Sequence, residues 1–191
     1  MKQPRVRVYM AMSLDGFIAG PNHELDWLES PPAGPLLPRD PEVLEYDGFM
    51  ADVGALLMGR RTYDVVRGFG VPWPYGEKPV LVPTRRPLDA EAPATVRRVE
   101  GPIQELVSQA LEAAGGKDVY LDGGDLIRQA ADAGLIDDLT ITVAPVALGA
   151  GIPLFAGLGR RYPLRVVSHR SYSSGMVQLR LEPAERPTSP G

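Results

Sequence analysis

Four stretches of this sequence bring polar, charged or glycine residues to the ends of short apolar runs, where chemistry can be positioned. The first is Leu57-Met58-Gly59-Arg60-Arg61-Thr62-Tyr63. It leaves an apolar run, turns at glycine and enters a helical pattern, with Thr62 as a candidate cap. A helix starting there would offer unpaired N–H groups and partial positive charge, and the two guanidinium groups would add charge-assisted donors for a phosphate. The plain alternative is a tight turn with solvated arginines. The second stretch is Tyr120-Leu121-Asp122-Gly123-Gly124-Asp125-Leu126-Ile127. Its glycines would let a phosphate approach the backbone at another helix start. The alternative is an ordinary strand-to-helix turn capped by Asp125.

The third stretch, Val82-Pro83-Thr84-Arg85-Arg86, again ends an apolar run, and Arg85 could assist a ribose 2′-phosphate together with Arg60 or Arg61. The fourth is Ala11-Met12-Ser13-Leu14-Asp15-Gly16-Phe17-Ile18-Ala19. Asp15 either shapes its turn or, facing a cleft, orients or protonates a polar substrate. None of these loops is G-x-G-x-x-G or a Walker loop. Gly149-Ala150-Gly151 has no helix after it and reads as a turn.

Other chemistries find little support. There is no cysteine, so thiolate and disulfide chemistry are excluded. His23 and His169 are the only histidines and stand in no ligand-spaced pattern, so no metal site is expected. Ser13 lacks a nucleophile elbow. A net charge of −4 argues against nucleic acid as a partner. No apolar run nears the roughly 18 residues of a membrane span, and Val6–Met12 reads as a strand and not as a signal peptide. A cytoplasmic protein acting on a small molecule is expected.

The elements that must position these loops follow from periodicity. Strands are expected at 6–12, 55–58, 79–82, 95–99, 119–121 and 139–147, with a hairpin of 164–172 and 176–181 around Ser173-Ser174-Gly175. Helices are expected at 42–51, at 62–67, at 103–114 and from Gly123-Gly124-Asp125 to Gly134. Residues 29–41 read as a long surface connection, and 183–191 as a frayed tail. Strands alternating with helices imply an α/β fold of three layers, α/β/α, with a mainly parallel central sheet and the hairpin on its edge. Residues 1–182 are expected to form one domain. Ligands of such sheets bind beyond the carboxyl ends of the strands, where all four stretches lie.

Taken in this order, these stretches resemble the dihydrofolate-reductase-like superfamily, and more closely the C-terminal reductase domain of bacterial riboflavin biosynthesis and its stand-alone relatives. Leu139-Thr-Ile-Thr-Val-Ala-Pro-Val146 and Leu148-Gly-Ala-Gly-Ile-Pro-Leu-Phe155 add to the likeness, which covers about residues 5–182. The resemblance implies a central sheet of about eight strands, an NADPH site and a homodimer. It would set Ala11 and Ile18 beside the nicotinamide. Gly59, Arg60, Arg61 and Thr62 would take the 2′-phosphate and pyrophosphate side, and Thr84 and Arg85 the adenosine end. Gly123, Gly124, Asp125 and Leu126 would hold the pyrophosphate, and Asp15 would stand by the substrate as the catalytic residue. The implied activity is hydride transfer from NADPH to a heterocyclic or imine-type acceptor, with 5-amino-6-(5-phosphoribosylamino)uracil as first candidate. Dihydrofolate reduction and non-catalytic nucleotide binding are the alternatives. None of Glu42, Glu45 and Asp47 falls clearly at the pterin-binding acid of dihydrofolate reductases, and no deaminase segment of H-x-E or C-x-x-C type is present.

Overall fold

A computed structural model describes residues 3–28, 46–172 and 174–184. The chain opens with strand β1 (Val6–Ser13), a short β2 (Phe17–Ala19) and a 3-10 turn at Asp26–Leu28. Helix α1 (Tyr46–Asp52) runs directly into β3 (Val53–Met58), followed by α2 (Arg60–Arg67), β4 (Val80–Pro83) and β5 (Val96–Val99). Next come α3 (Ile103–Ala113), β6 (Asp118–Asp122), α4 (Gly124–Asp132), β7 (Asp138–Ala144) and β8 (Ile152–Pro153). The hairpin β9 (Leu164–Ser171) and β10 (Val177–Pro183) closes the order.

Eight strands form one sheet in the order β5-β4-β3-β6-β1-β7-β10-β9. The pairings from β5 through β7 are parallel, whereas β10 runs antiparallel to both β7 and β9. This is the expected α/β sheet with its antiparallel hairpin on the edge. β2 and β8 pair antiparallel as a separate small sheet. They escape periodicity because strands of three and two residues carry no alternation; they exist because loops far apart in sequence meet.

Alternation along the inner strands separates two cores. Ala55 and Leu57 of β3, with Val119 and Leu121 of β6, face α3 and α4. Leu56, Met58 and Tyr120 face the other way, toward Phe49 of α1 and Tyr63 and Val66 of α2. Both strand faces are apolar because both are covered, which is why these strands read as continuous apolar runs. Each fully buried Leu or Ile contributes about 1.5–3 kcal/mol.

The opposite, N-terminal end of the strands is pinned by charge. Buried Arg7 donates to Asp118 at 3.1 Å and lies 4.8 Å over the Phe49 ring. Asp138, fully buried, accepts from Arg180 Nε at 2.9 Å and from Arg5 at 3.3 Å. These pairs tie β1, β6, β7 and β10 together away from the loops of interest.

Several boundaries differ from expectation. α2 begins at Arg60, so Gly59 and not Thr62 is its N-cap, and α4 is capped by Gly123 and not by Asp125. β7 stops at Ala144, because Pro145 cannot donate to the sheet ladder. Pro183 belongs to β10, and the Ala184 amide donates to the Pro163 carbonyl, so the tail begins later than expected. The 29–41 connection, the first residues of the helix expected at 42–51, and 185–191 lie outside the described residues. β9 ends the sheet with Val166 and Val167 exposed.

Gly54 sits where the β3–β6 register shifts, against the end of α3. A Cβ there would collide with the Ala114 carbonyl, which is backbone and cannot swing aside. Gly54→Ala is expected to lower unfolding free energy by about 1–3 kcal/mol. Urea denaturation checks this, with a shifted midpoint at unchanged slope as the expected result.

Candidate functional site

A cleft of about 700 Å³ runs across the carboxyl ends of the strands. The sheet order dictates the order of its walls. Gly101 after β5 and Pro83 and Arg86 at β4 line one end; Gly59–Thr62 follow at β3, Asp122–Leu126 at β6, and Tyr9, Met10 and Ala11 of β1 lie beyond them. Ile18 of β2 and Ile152 of β8 close over this far end, with His23, Leu25 and Leu28 contributed by the segment after β2. β3 and β6 are neighbours, yet α2 and α4 leave them toward opposite faces of the sheet. That divergence opens the crevice.

Two helix N-termini therefore face one space. Gly59 caps α2 and Gly123 caps α4, and neither helix has a side-chain cap, so their first N–H groups are not satisfied by a side chain at the cap. The two turns are locked together, since the Gly59 amide donates to the Asp122 carbonyl at 2.9 Å. Gly123 adopts φ 106°, and a Cβ on it would stand 2.9 Å from Thr62 Oγ1 and 3.3 Å from the Gly59 amide nitrogen. Only glycine allows this conformation and this approach.

Of the twelve residues expected at a cofactor, ten line the cleft: Ala11, Ile18, Gly59, Arg60, Arg61, Thr62, Gly123, Gly124, Asp125 and Leu126. Thr84 and Arg85 do not. Thr84 Oγ1 accepts the Arg86 amide at 3.1 Å, and the turn so formed gives Arg86, not Arg85, to the wall. The arginines are also unequal. Arg60 is tied down, its Nε donating to Asp64 at 2.7 Å and its Nη1 to the Pro87 carbonyl at 2.9 Å. Arg61 stands exposed at the same helix start.

Asp125 at the start of α4 pairs with Arg128. Arg128 in turn donates to the Pro153 carbonyl at 2.7 Å and the Leu154 carbonyl at 3.2 Å, fastening β8 and Ile152 beside the α4 start.

Asp15 does not line the cleft. Its carboxylate accepts from Ser13 Oγ at 2.6 Å, the Leu148 amide at 3.1 Å and the Gly149 amide at 2.7 Å. The Ser13 hydroxyl and then the Gly149 amide are the main causes that hold its pKa down at about 2. An acid so strong, with its oxygens engaged, serves as a charged staple and is poorly suited to give up a proton near neutral pH.

The buried carboxyl group of the cleft is Asp122, a residue of the Tyr120–Ile127 motif to which the sequence assigns no role. It is the last residue of β6, on the same face as Tyr120. Burial pushes its pKa up to about 6, with the Gly123 amide and the Tyr120 hydroxyl pulling the other way. Tyr9 stands nearby, 4.9 Å from Phe49 and 5.6 Å from Tyr46 between ring centroids, and its carbonyl accepts the Tyr120 hydroxyl at 2.9 Å. The Tyr9 hydroxyl accepts from buried Gln178 at 3.3 Å. An acid closing an apolar strand just before two glycines was the available signal for Asp122.

No helix among the described residues is long and apolar enough to cross a membrane, and no group of three or more potential ligand side chains there could hold a metal ion. An uncharacterized protein of Bacillus subtilis (strain 168), YyaP, is 31% identical over 196 residues, covering 94% of this chain and 95% of that one. The riboflavin biosynthesis protein RibD of Corynebacterium ammoniagenes is 26% identical over 161 residues, covering 82% of this chain and 47% of that protein, about half its length. A solved structure from Shewanella sp. PV-4, named for riboflavin biosynthesis, superposes with a TM-score of 0.81 at 32% identity, covering 95% of this chain and 99% of that one. The RibD C-terminal domain family matches residues 4–178, so this chain belongs to that family.

Proposed function

We propose that this chain is an NADPH-dependent reductase that delivers hydride to a carbon–nitrogen double bond or related centre of a heterocyclic acceptor. The observation that carries this reading is the pair of glycine-capped helix starts, joined at Gly59 and Asp122, that open on one cleft with arginines at one end and a buried carboxyl toward the other. A dinucleotide fits that arrangement. The N–H groups of α2 and α4 would receive the pyrophosphate, where Gly123 keeps the backbone free of side chain. Arg61 and Arg86 would face a 2′-phosphate. Ala11 and Ile18 would form the apolar walls beside the nicotinamide and exclude water from it.

When bound, the nicotinamide nucleotide supplies the hydride. Reduction of a neutral C=N bond also needs one proton on nitrogen. Asp122 is the group suited to give it, since burial keeps part of its population protonated near pH 6. Asp15 takes a positioning role, holding the Leu148–Gly149 backbone across from β1. The resemblance to the riboflavin-type reductases makes 5-amino-6-(5-phosphoribosylamino)uracil the first acceptor to try.

Titration with NADPH should give micromolar binding by fluorescence and calorimetry, and acceptor-dependent loss of absorbance at the reduced nicotinamide band should follow. No binding of NADPH would end this reading; binding without turnover on the uracil intermediate, dihydrofolate or simple imines would favour a non-catalytic nucleotide-binding protein.

Asp122→Asn should cut kcat by about 10²–10⁴-fold with NADPH affinity nearly kept. In the unsubstituted protein kcat/KM should decline as pH rises through about 6, because the proton donor is lost. A profile flat across that range would remove Asp122 as the donor.

Asp15 has a folded pKa of about 2, below its ordinary value, so its contribution to stability is present above about pH 4 and lost as pH falls toward 2. Thermal unfolding between pH 5 and 2 should show a shallower loss for Asp15→Asn than for the original protein. Equal slopes would contradict the staple.

A further inference from the structure

One carboxylate stands among the arginines at the Pro83–Gly101 end of the cleft. Asp64 lies on α2, one turn beyond Arg60. Its Oδ1 accepts from Arg60 Nε at 2.7 Å, and its Oδ2 lies 3.5 Å from Arg86 Nη2. The two arginines line the cleft, whereas Asp64 sits behind them. They are held very differently. The Arg60 side chain is 18% exposed and is further anchored on the carbonyls of Arg86 and Pro87. The Arg86 side chain is 69% exposed, and its contact with Asp64 is long. A carboxylate thus already satisfies, in part, the guanidinium group that an incoming phosphate at this end would have to use.

We propose that Asp64 sets the preference between NADPH and NADH, as an internal competitor for the 2′-phosphate. This rests on the dinucleotide reading of the cleft. A 2′-phosphate meeting Arg86 would have to share the guanidinium with Asp64 or draw it away, and it would sit near a carboxylate whose remaining partner is Arg60. With a 2′-hydroxyl in that place neither cost arises. Asp64 therefore weakens NADPH selectively and leaves NADH largely untouched. The Arg86–Asp64 pair is too exposed to matter much for folding. Asp64 is a specificity-determining residue that acts through Arg86, and it touches no reacting atom.

The test is a titration of NADPH and NADH against the original protein, Asp64→Asn and Asp64→Glu, each at low and high salt. Asp64→Asn keeps size and an acceptor for Arg60 but removes the charge. It should tighten NADPH by about three- to tenfold and leave NADH within about twofold. The gain should shrink as salt screens the phosphate. Asp64→Glu should keep the original ratio of affinities, which separates charge from a change in helix packing. If the original protein binds both nucleotides and their ratio does not move in Asp64→Asn, or both affinities change together, the proposal is overturned while the dinucleotide site stands. If the original protein binds neither, the dinucleotide reading itself fails and takes the proposal with it.

Discussion

The amide of Gly59 reaching the carbonyl of Asp122 is the contact on which the site depends. It joins the ends of two neighbouring parallel strands whose helices go to opposite faces. If the turns were farther apart, the helix starts would address separate spaces. If the Gly123 turn carried a side chain, the contact would not close, because Thr62 and the Gly59 backbone already fill the volume around Gly123. The electrostatics of the cleft follows: two sets of partly positive backbone ends converge, and the carboxyl of Asp122 is dried out at their junction.

The rest of the molecule serves that junction. Buried charge fixes the far end of the strands, so their carboxyl ends keep a defined register. Two cores back the sheet and hold α2 and α4 at their angles. The outer wall is fastened by side chains reaching to backbone: Asp15 takes the amides of Leu148 and Gly149, and Arg128 takes the carbonyls of Pro153 and Leu154. One anchor is acidic and grips donors; the other is basic and grips acceptors. Between them lies the segment that brings Ile152 to the cleft.

Much of this was legible in the sequence. The inner strands are short apolar runs because both their faces are covered, and the glycine turns after β3 and β6 mark the edge on which the cleft opens. What was not legible depends on partners far along the chain. Asp15 reads as an acid in a loop until the amides 133 and 134 residues later are seen to claim it. Arg60 and Arg61 are indistinguishable as letters, yet one is tied to Asp64 and the other is not buried. Arg85 and Arg86 exchange roles because the Thr84 hydroxyl turns the chain by one residue. Asp122 takes on meaning only when the strand that carries it is known to end in a dry crevice.

The last strand has a bearing on how the protein behaves when crowded. β9 leaves a row of backbone groups without a further strand among the described residues, and the exposed Val166 and Val167 make that edge adhesive. Two such edges laid antiparallel in the register that sets Val166 opposite His169 would bring Arg165 opposite Arg170. Like charges facing across a strand pair oppose pairing. In that register the strand carries its own deterrent to further sheet growth, set in the same residues that finish the fold.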